Sequence, residues 1–460
     1  MCYNVSDLYQ VKIYEKKGIN MKIGVVSLGC CKNLVDSERM MGLLRQSGHE
    51  IVSDVHEAEA IIVNTCGFIE PAKEEAINTI LEMAEYKNEN CRKLIVAGCL
   101  AQRYKADLEA EMPEVDCFLT ISDYPKMGQI LTRVLGEKVL DGYGKNTRLV
   151  STKPWTAYLK IAEGCDNRCS YCAIPGIRGG YVSFPIEDLV AEAKQLASEG
   201  VKELVVIAQD TSRYGTDLYG RRRIWDLLTE LNAIDGLHWI RVLYLYPDEI
   251  DDEFVTGIKD LKKVIPYFDI PVQHGSDKML KLMNRRGSVE SILRTVKLIR
   301  ENYDMPVLRT TMIVGFPQET EEDFQMLIDF IKEVRWDRLG AFTFSNEEDT
   351  PAYTMDGQIS QEIMDERLER LMTVQNQIAQ ENGEALIGKT LEVLVENQDG
   401  LTGYYHGRGI HSAPDGIDGL IKFKSSHHYQ PGTFAWVKVT KAKHHDLIGI
   451  DVLDAEEIAA

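Results

Sequence analysis

The sequence predicts an α/β chain in three parts: an N-terminal open parallel sheet, a central partial (β/α)6 barrel and a C-terminal small antiparallel β-barrel. Three observations lead there. Short apolar, β-branched runs alternate with helix-like stretches in the first third of the chain, as strands and crossover helices do. The middle repeats that alternation six times, three-quarters of the (β/α)8 plan. Beyond residue 386 the helices stop, and short runs separated by Gly-, Pro- and Asp-bearing turns take over.

In the first part, Ile23-Gly24-Val25-Val26-Ser27-Leu28-Gly29 leads to Cys30, Ala60-Ile61-Ile62-Val63-Asn64-Thr65 to Cys66, and Leu94-Ile95-Val96-Ala97-Gly98 to Cys99. Such runs suit strands buried on both faces. Helical stretches are expected over 36–45, 71–86 and 100–109, so a parallel sheet is the economical arrangement. All three cysteines then fall at carboxyl ends of strands, where open α/β sheets bind ligands. Singly, each would read as a buried core cysteine; their shared strand-to-helix position groups them.

In the middle, strands are expected at 157–162, 204–208, 239–246, 268–272, 307–314 and 339–344, with helices over 186–199, 224–231, 288–300 and 321–334. Thr320 is a candidate N-cap for the last helix. Chemistry in such a barrel sits at the carboxyl ends of the strands. There the sequence places a cysteine loop, then Gln209-Asp210-Thr211, Tyr246-Pro247, Gln273-His274-Gly275-Ser276, Gly315-Phe316-Pro317 and Ser345-Asn346-Glu347. Gly315 would let the backbone approach a ligand closely. His274 has no second histidine near it and reads as a hydrogen-bonding wall residue rather than a metal ligand.

A long helix is expected over 360–386, with Leu368, Leu371, Val374, Ile378 and Leu386 as its apolar stripe. Strands follow at 390–396, 403–409, 419–423 and 434–440. Six of the ten histidines lie in this tail, at 406, 411, 427, 428, 444 and 445, and the two His-His pairs are expected in solvated loops.

The densest chemical signal is Glu163-Gly164-Cys165-Asp166-Asn167-Arg168-Cys169-Ser170-Tyr171-Cys172. Its C-x3-C-x2-C spacing gives a metal three thiolates from one loop and no fourth. A structural zinc site closes four ligands, whereas three suit a [4Fe–4S] cluster with one iron open to a further ligand. Tyr171 stands where an aromatic could stack on an adenine. The loop resembles the radical S-adenosylmethionine (SAM) enzymes.

Together the two cysteine groups resemble the methylthiotransferases, radical SAM enzymes with two [4Fe–4S] clusters. The resemblance runs from about Met21 to Asp451. It rests on Ser27-Leu28-Gly29-Cys30 with Lys32-Asn33-Leu34-Val35-Asp36-Ser37-Glu38, on Asn64-Thr65-Cys66-Gly67-Phe68, on Gly98-Cys99-Leu100-Ala101-Gln102-Arg103-Tyr104, and on the radical-SAM loop. The Ser-Leu-Gly-Cys opening and Ala173-Ile174-Pro175-Gly176-Ile177-Arg178-Gly179 look like the ribosomal-protein branch, RimO, rather than the tRNA-modifying MiaB branch. Cys31 departs from the pattern, which usually has proline there. The tail resembles a TRAM domain through Ile417-Asp418-Gly419 and Asp446-Leu447-Ile448-Gly449.

The resemblance implies that Cys165, Cys169 and Cys172 hold one cluster and that Cys30, Cys66 and Cys99 hold the other, Cys30 rather than Cys31 being the ligand. Tyr171, Gln209 and Gly315 are the implied SAM-contacting residues. The first cluster would cleave SAM to a 5′-deoxyadenosyl radical that removes an unactivated hydrogen. The second would carry sulfur, methylated by another SAM, to the β-carbon of an aspartate in ribosomal protein S twelve. A low-potential donor, flavodoxin or ferredoxin, would supply electrons. The alternatives are a tRNA adenosine methylthiotransferase and a non-catalytic iron–sulfur electron carrier, the latter disfavoured by two sites with open irons.

Composition fits a cytoplasmic enzyme. Among 460 residues the ten cysteines do not form a secreted disulfide framework and fit a reducing compartment. No apolar run is long enough to span a membrane, and residues 1–20 lack a signal-peptide h-region; they read as a disordered extension. The domains are expected at 21–145, 150–385 and 386–452. With 72 acidic against 52 basic residues, the net charge of −20 suits a basic protein partner better than a phosphate backbone. From residue 387 onward ten acids face seven Lys or Arg, so the tail has no net positive charge. Neither a Walker A run nor a Gly-x-Ser-x-Gly elbow nor a His-Glu-x-x-His helix occurs.

Overall fold

The computed structural model describes residues 21–142 and 148–454, so the expected extension at 1–20 lies outside the described residues. The chain forms two compact units. One runs through Leu196 and takes in Ile207–Gln209 and Ser345–Tyr353; the other comprises Ala197–Val206, Asp210–Phe344 and the chain from Thr354 onward.

The first unit opens with β1 (Lys22–Ser27), α1 (Cys31–Gln46), β2 (Glu50–Val52), β3 (Ala60–Thr65), α2 (Glu70–Glu85), β4 (Lys93–Gly98), α3 (Cys99–Glu111), β5 (Cys117–Leu119) and α4 (Met127–Leu135). Its five strands run parallel in the order β2-β1-β3-β4-β5. The three strands expected from sequence are the central ones, and β3 is buried at every position. Apolar clusters cover both faces: Ile23, Val25, Ile62 and Ile95 pack with α1 and α4, while Ile61, Val63, Leu94 and Val96 pack with α2 and α3. Two helices start earlier than expected, α1 at Cys31 and α3 at Cys99, which puts the cysteines themselves at the strand-to-helix corners.

The same unit continues with β6 (Thr156–Lys160), β7 (Ala162–Glu163), α5 (Ile174–Arg178), β8 (Val182–Ser183) and most of α6 (Ile186–Ser198). The single strand expected at 157–162 is divided at Ile161, whose N–H donates to the Ile207 carbonyl at 2.9 Å. β7 turns aside to pair antiparallel with β8.

The second unit carries all but the last residue of β9 (Glu203–Ile207), then α7 (Ile224–Asn232), β10 (Trp239–Val242), α8 (Asp252–Gly257), β11 (Val264–Asp269), α9 (Asp277–Leu282), α10 (Val289–Asn302), β12 (Val307–Val314), α11 (Glu321–Val334) and β13 (Arg338–Thr343). Its parallel strands follow in sequence order. All six strands expected for the partial barrel form. β10 stops at Val242, short of Tyr246, because Tyr244 takes a left-handed φ of 63°. Thr320 caps α11: its hydroxyl accepts from the Asp323 N–H while the Asp323 carboxylate accepts from the Thr320 N–H.

The long helix α12 (Gln361–Glu384) buries Met364, Arg367, Leu371, Gln375 and Ile378. Leu368 and Val374 of the expected stripe are only half-buried. The helix is rotated toward a polar stripe because Arg367 donates to the Glu319 carbonyl at 3.1 Å and Gln375 to the Trp336 carbonyl at 3.0 Å.

The tail closes as a barrel of β14 (Thr390–Gln398), β15 (Tyr405–Arg408), β16 (Ile421–Lys424), β17 (Phe434–Lys443) and β18 (Asp446–Asp451), in the order β14-β15-β16-β18-β17. Four of its ladders are antiparallel and one, β16 with β18, is parallel. The fifth strand, β18, was not foreseen. Within this unit Glu203 of β9 pairs with Arg241 of β10 at 2.9 Å and Arg408 of β15 at 2.6 Å, fixing the barrel to the parallel strands.

Candidate metal centre and radical SAM loop

Cys30, Cys66 and Cys99 meet where β1, β3 and β4 end, and a glycine stands beside each. A Cβ on Gly29 would lie 2.7 Å from the Cys66 Cβ, one on Gly67 2.8 Å from the Leu100 Cα, and one on Gly98 2.3 Å from the Asn64 Oδ1. Gly29 and Gly98 also hold φ values of 88° and 95°, which side chains rarely adopt. The three corners are therefore packed too closely to admit a side chain. Sequence reasoning quoted these glycines without using them; their direct adjacency to each cysteine was the available signal.

Asn33, on the first turn of α1, ties the corners together. Its Nδ2 donates to the carbonyls of Leu28 and Thr65, both at 2.9 Å, and its Oδ1 accepts from the Cys99 thiol at 3.9 Å. Burial pushes the Cys66 thiol up to about 12, with Cys99 and Cys30 adding to the rise. Cys99 is raised as well, burial outweighing the opposing pull of Arg178. Buried thiols of this kind stay protonated unless a cation takes them as thiolates. Three soft sulfur donors in one another's field fit an iron–sulfur cluster. Cys31 is a separate matter: it is buried at the first position of α1 while Cys30 is exposed. That position favours proline, whose fixed φ suits the first residue of a helix.

The second group comes from one loop. Its base is latched by the β7–β8 pair, by the Cys165 N–H donating to the Gly179 carbonyl at 3.1 Å, and by Asp166 accepting from the Tyr181 N–H at 3.0 Å. Gly164 is obligatory, because a Cβ there would sit 2.0 Å from the Gly180 carbonyl oxygen. The Cys172 N–H turns back to the Cys169 carbonyl at 3.1 Å, and the Ser170 carbonyl accepts from Ala352 N–H at 2.8 Å. Three thiols from one turn fit a cluster with a free iron. Tyr171 and Gln209 are half-buried in the same unit.

Glu347, after the sixth strand, is buried against Arg103 at 3.0 Å and Lys73 at 3.2 Å, and Arg103 also donates to the Gly67 carbonyl at 3.1 Å beside Cys66. Burial works against the Glu347 charge, but Ser345, Arg103 and Lys73 outweigh it and its pKa falls. In the second unit Gly315 is tight on one side, where a Cβ would meet the Met364 Cγ at 2.1 Å. The fully buried His274 accepts from the Ser276 N–H at 3.0 Å through Nδ1 and lies 3.7 Å from Glu319. The described histidines of the tail differ: His427, His428 and His444 are exposed, whereas His411 is buried and held down to about 3, chiefly by that burial. His427 does approach Asp451 and Asp454, but those carboxylates already accept from Ser425, Tyr429 and Ser426.

Three family models match consecutive stretches: Uncharacterized protein family UPF0004 at residues 22–120, the Radical SAM superfamily at 159–331 and the TRAM domain at 387–452. The ribosomal protein uS12 methylthiotransferase RimO of Acetivibrio thermocellus is 49% identical over 93% of this chain and 98% of its own length. Its namesakes from Pelotomaculum thermopropionicum and Clostridioides difficile are 49% and 48% identical over 95% and 94% of this chain, and 100% and 99% of theirs.

The chain belongs to the RimO methylthiotransferase family.

Its membership makes it a radical SAM methylthiotransferase, and the radical SAM domain brings with it a [4Fe–4S] cluster and SAM. Among solved structures, the radical SAM methyltransferase TsrM of Kitasatospora setae, with tryptophan and a SAM analogue bound, aligns at TM-score 0.54 and 13% identity over 78% of this chain and 89% of that one. A form with cobalamin and a [4Fe–4S] cluster aligns at 0.52 and 14%, over 73% and 74%. At such identity the likeness is one of fold. The chain thus has the fold class expected from its sequence. Among its described residues no helix is long and apolar enough to cross a membrane.

Proposed function

We propose that this chain inserts a methylthio group at the β-carbon of an aspartate in ribosomal protein S twelve, using one [4Fe–4S] cluster on Cys165, Cys169 and Cys172 and a second on Cys30, Cys66 and Cys99. The meeting of Cys30, Cys66 and Cys99 at three adjoining strand ends carries the two-cluster reading, and the name shared by the relatives supports the substrate. When bound, the radical SAM cluster and SAM supply a one-electron cleavage whose carbon radical can take an unactivated hydrogen. The chain's own work is positioning. The latched loop fixes three sulfurs relative to β6 and β7, and the glycine-packed corners with Asn33 fix the other three. Tyr171, Gln209 and Gly315 contact SAM in this reading. The domains divide at 21–145, 150–385 and 386–452, for sulfur transfer, radical chemistry and the TRAM-like barrel.

Flavodoxin or ferredoxin in the cytoplasm donates the electrons. The net charge of −20 favours a basic acceptor protein over RNA. Reconstituted chain should hold about eight irons, four per cluster. It should also add roughly 46 Da, one S–CH3 for one hydrogen, to the ribosomal protein or a peptide of its aspartate-bearing loop. Transfer to tRNA adenosine instead of the peptide would move the chain to the tRNA branch. SAM cleavage absent under dithionite would leave only an electron carrier.

A further inference from the structure

A buried ionic cluster lies beside the cysteine trio. Asp36 of α1, Lys160 of β6 and Arg178 of α5 have side chains no more than 2% exposed, and Glu163 of β7 joins them. Arg178 donates to Asp36 Oδ2 at 3.2 Å through both terminal nitrogens and to Glu163 Oε1 at 2.8 Å. Lys160 bridges the same two carboxylates, meeting Glu163 at 2.8 Å. Arg178 Nη2 also donates to Asn33 Oδ1 at 2.8 Å, the same oxygen that takes the Cys99 thiol. Ile177, the residue before it, packs against Cys99.

Stability alone does not account for this arrangement. Desolvating each ion costs several kcal/mol, and apolar residues of similar volume commonly serve as well. The placement is specific. The four residues come from the helix that follows Cys30, the strands that lead into Cys165 and the helix that follows Cys172, so both cysteine groups are attached to one rigid junction. Two carboxylates and two cations cancel, and the guanidinium is the member that meets Asn33 and, through it, Cys99.

We propose that Arg178 is the positioning residue of the Cys30/Cys66/Cys99 centre, holding a fixed positive charge next to Cys99 and joining that centre to the radical SAM loop. The inference rests on the reading that this trio carries a cluster. A cation fixed near a cluster favours its reduced, more negative state, since net charge and hydrogen bonding set such potentials. Lysine keeps the charge but loses the planar fork that serves Asp36, Glu163 and Asn33 together.

The test uses the full chain with Cys165, Cys169 and Cys172 changed to alanine, so that only the trio can load. Iron, sulfide, electron paramagnetic resonance and midpoint potential are measured for this parent and for added Arg178→Gln, Arg178→Lys and Arg148→Gln. Arg148→Gln is the control, breaking a neighbouring buried pair with Glu38 of α1 that does not involve Asn33. Arg178→Gln should shift the potential negative and alter the spectrum, Arg178→Lys should recover most of the potential, and Arg148→Gln should change neither. Loss of iron from Arg178→Gln with retention in Arg178→Lys supports the same role. Full iron with unchanged potential and spectrum in Arg178→Gln overturns it, as does an equal shift in the control. A parent that takes up no iron or sulfide overturns the two-cluster reading, and this inference with it.

Discussion

The two cysteine groups deliver three thiols each by opposite routes. Cys165, Cys169 and Cys172 lie within eight consecutive residues, and their geometry is set by bonds inside the short stretch that β7 and β8 close. Cys30, Cys66 and Cys99 are spread over about seventy positions and meet only because β1, β3 and β4 pair in register with a glycine at each corner. A contiguous site tolerates change elsewhere in the fold; a convergent site inherits the fragility of every strand that feeds it.

The largest effects should come from the cysteines themselves. Cys169→Ala should abolish reductive SAM cleavage while leaving about four irons on the trio, and Cys66→Ala should keep SAM cleavage while ending methylthio transfer. Chromatography of SAM products and mass spectrometry of the acceptor read the two outcomes. Equal loss of both activities in both folded variants would erase the distinction between the sites.

Glycine substitution probes the routes without touching sulfur. Gly98→Ala places a methyl 2.3 Å from Asn64 Oδ1 and 2.5 Å from the Thr65 carbonyl oxygen at a φ of 95°. It should cost about 3 kcal/mol or more and strip iron from the trio. Gly176→Ala, inside α5 of the loop stretch with nothing within 4 Å, should change stability by less than about 1 kcal/mol. Unfolding midpoints and iron content check both; similar outcomes for the two would contradict the contrast.

Acid supplies a comparison away from either site. Burial opposes the charge on Glu203, but Arg408 and Arg241 hold its pKa to about 2, below the ordinary 4.5. Its contribution, about 3 kcal/mol, is present above pH 4.5 and is lost as pH falls from there toward about 2. Urea unfolding of cluster-free chain should therefore weaken over that window, and Glu203→Gln should flatten the dependence. The smallest effect is expected of Cys31→Pro, about 1 kcal/mol or less with iron unchanged, because proline suits the first position of α1. Loss of trio iron in that variant would transfer the ligand role from Cys30 to Cys31.

The central strands and helices were legible because their periodicities are long and their apolar runs continuous, as in β3, β12 and α11. β2 and β5 have only three residues each, too few to show a period, and β18 is interrupted by Gly449. The α12 stripe was misplaced because Arg367 and Gln375 face inward, and a hydropathy pattern scores them as outward. At the site, the cysteines were legible from spacing and neighbours. Asn33, Asp36 and Arg178 were visible only as parts of quoted motifs, since their partners lie up to 145 residues away and no local rule pairs them.

Glu347 gives the chain an order of assembly. The carboxylate that pairs with both Lys73 and Arg103 belongs to Ser345–Tyr353, yet the rest of its unit ends at Gln209. A ribosome adding roughly 5–20 residues per second needs about seven to twenty-seven seconds to cover that gap. During that interval Arg103, which reaches the carbonyl beside Cys66, lacks its buried counter-ion, whereas Lys73 already has Glu70 on its own helix. A chain truncated before residue 345 would therefore lack this carboxylate and leave Arg103 without its buried counter-ion.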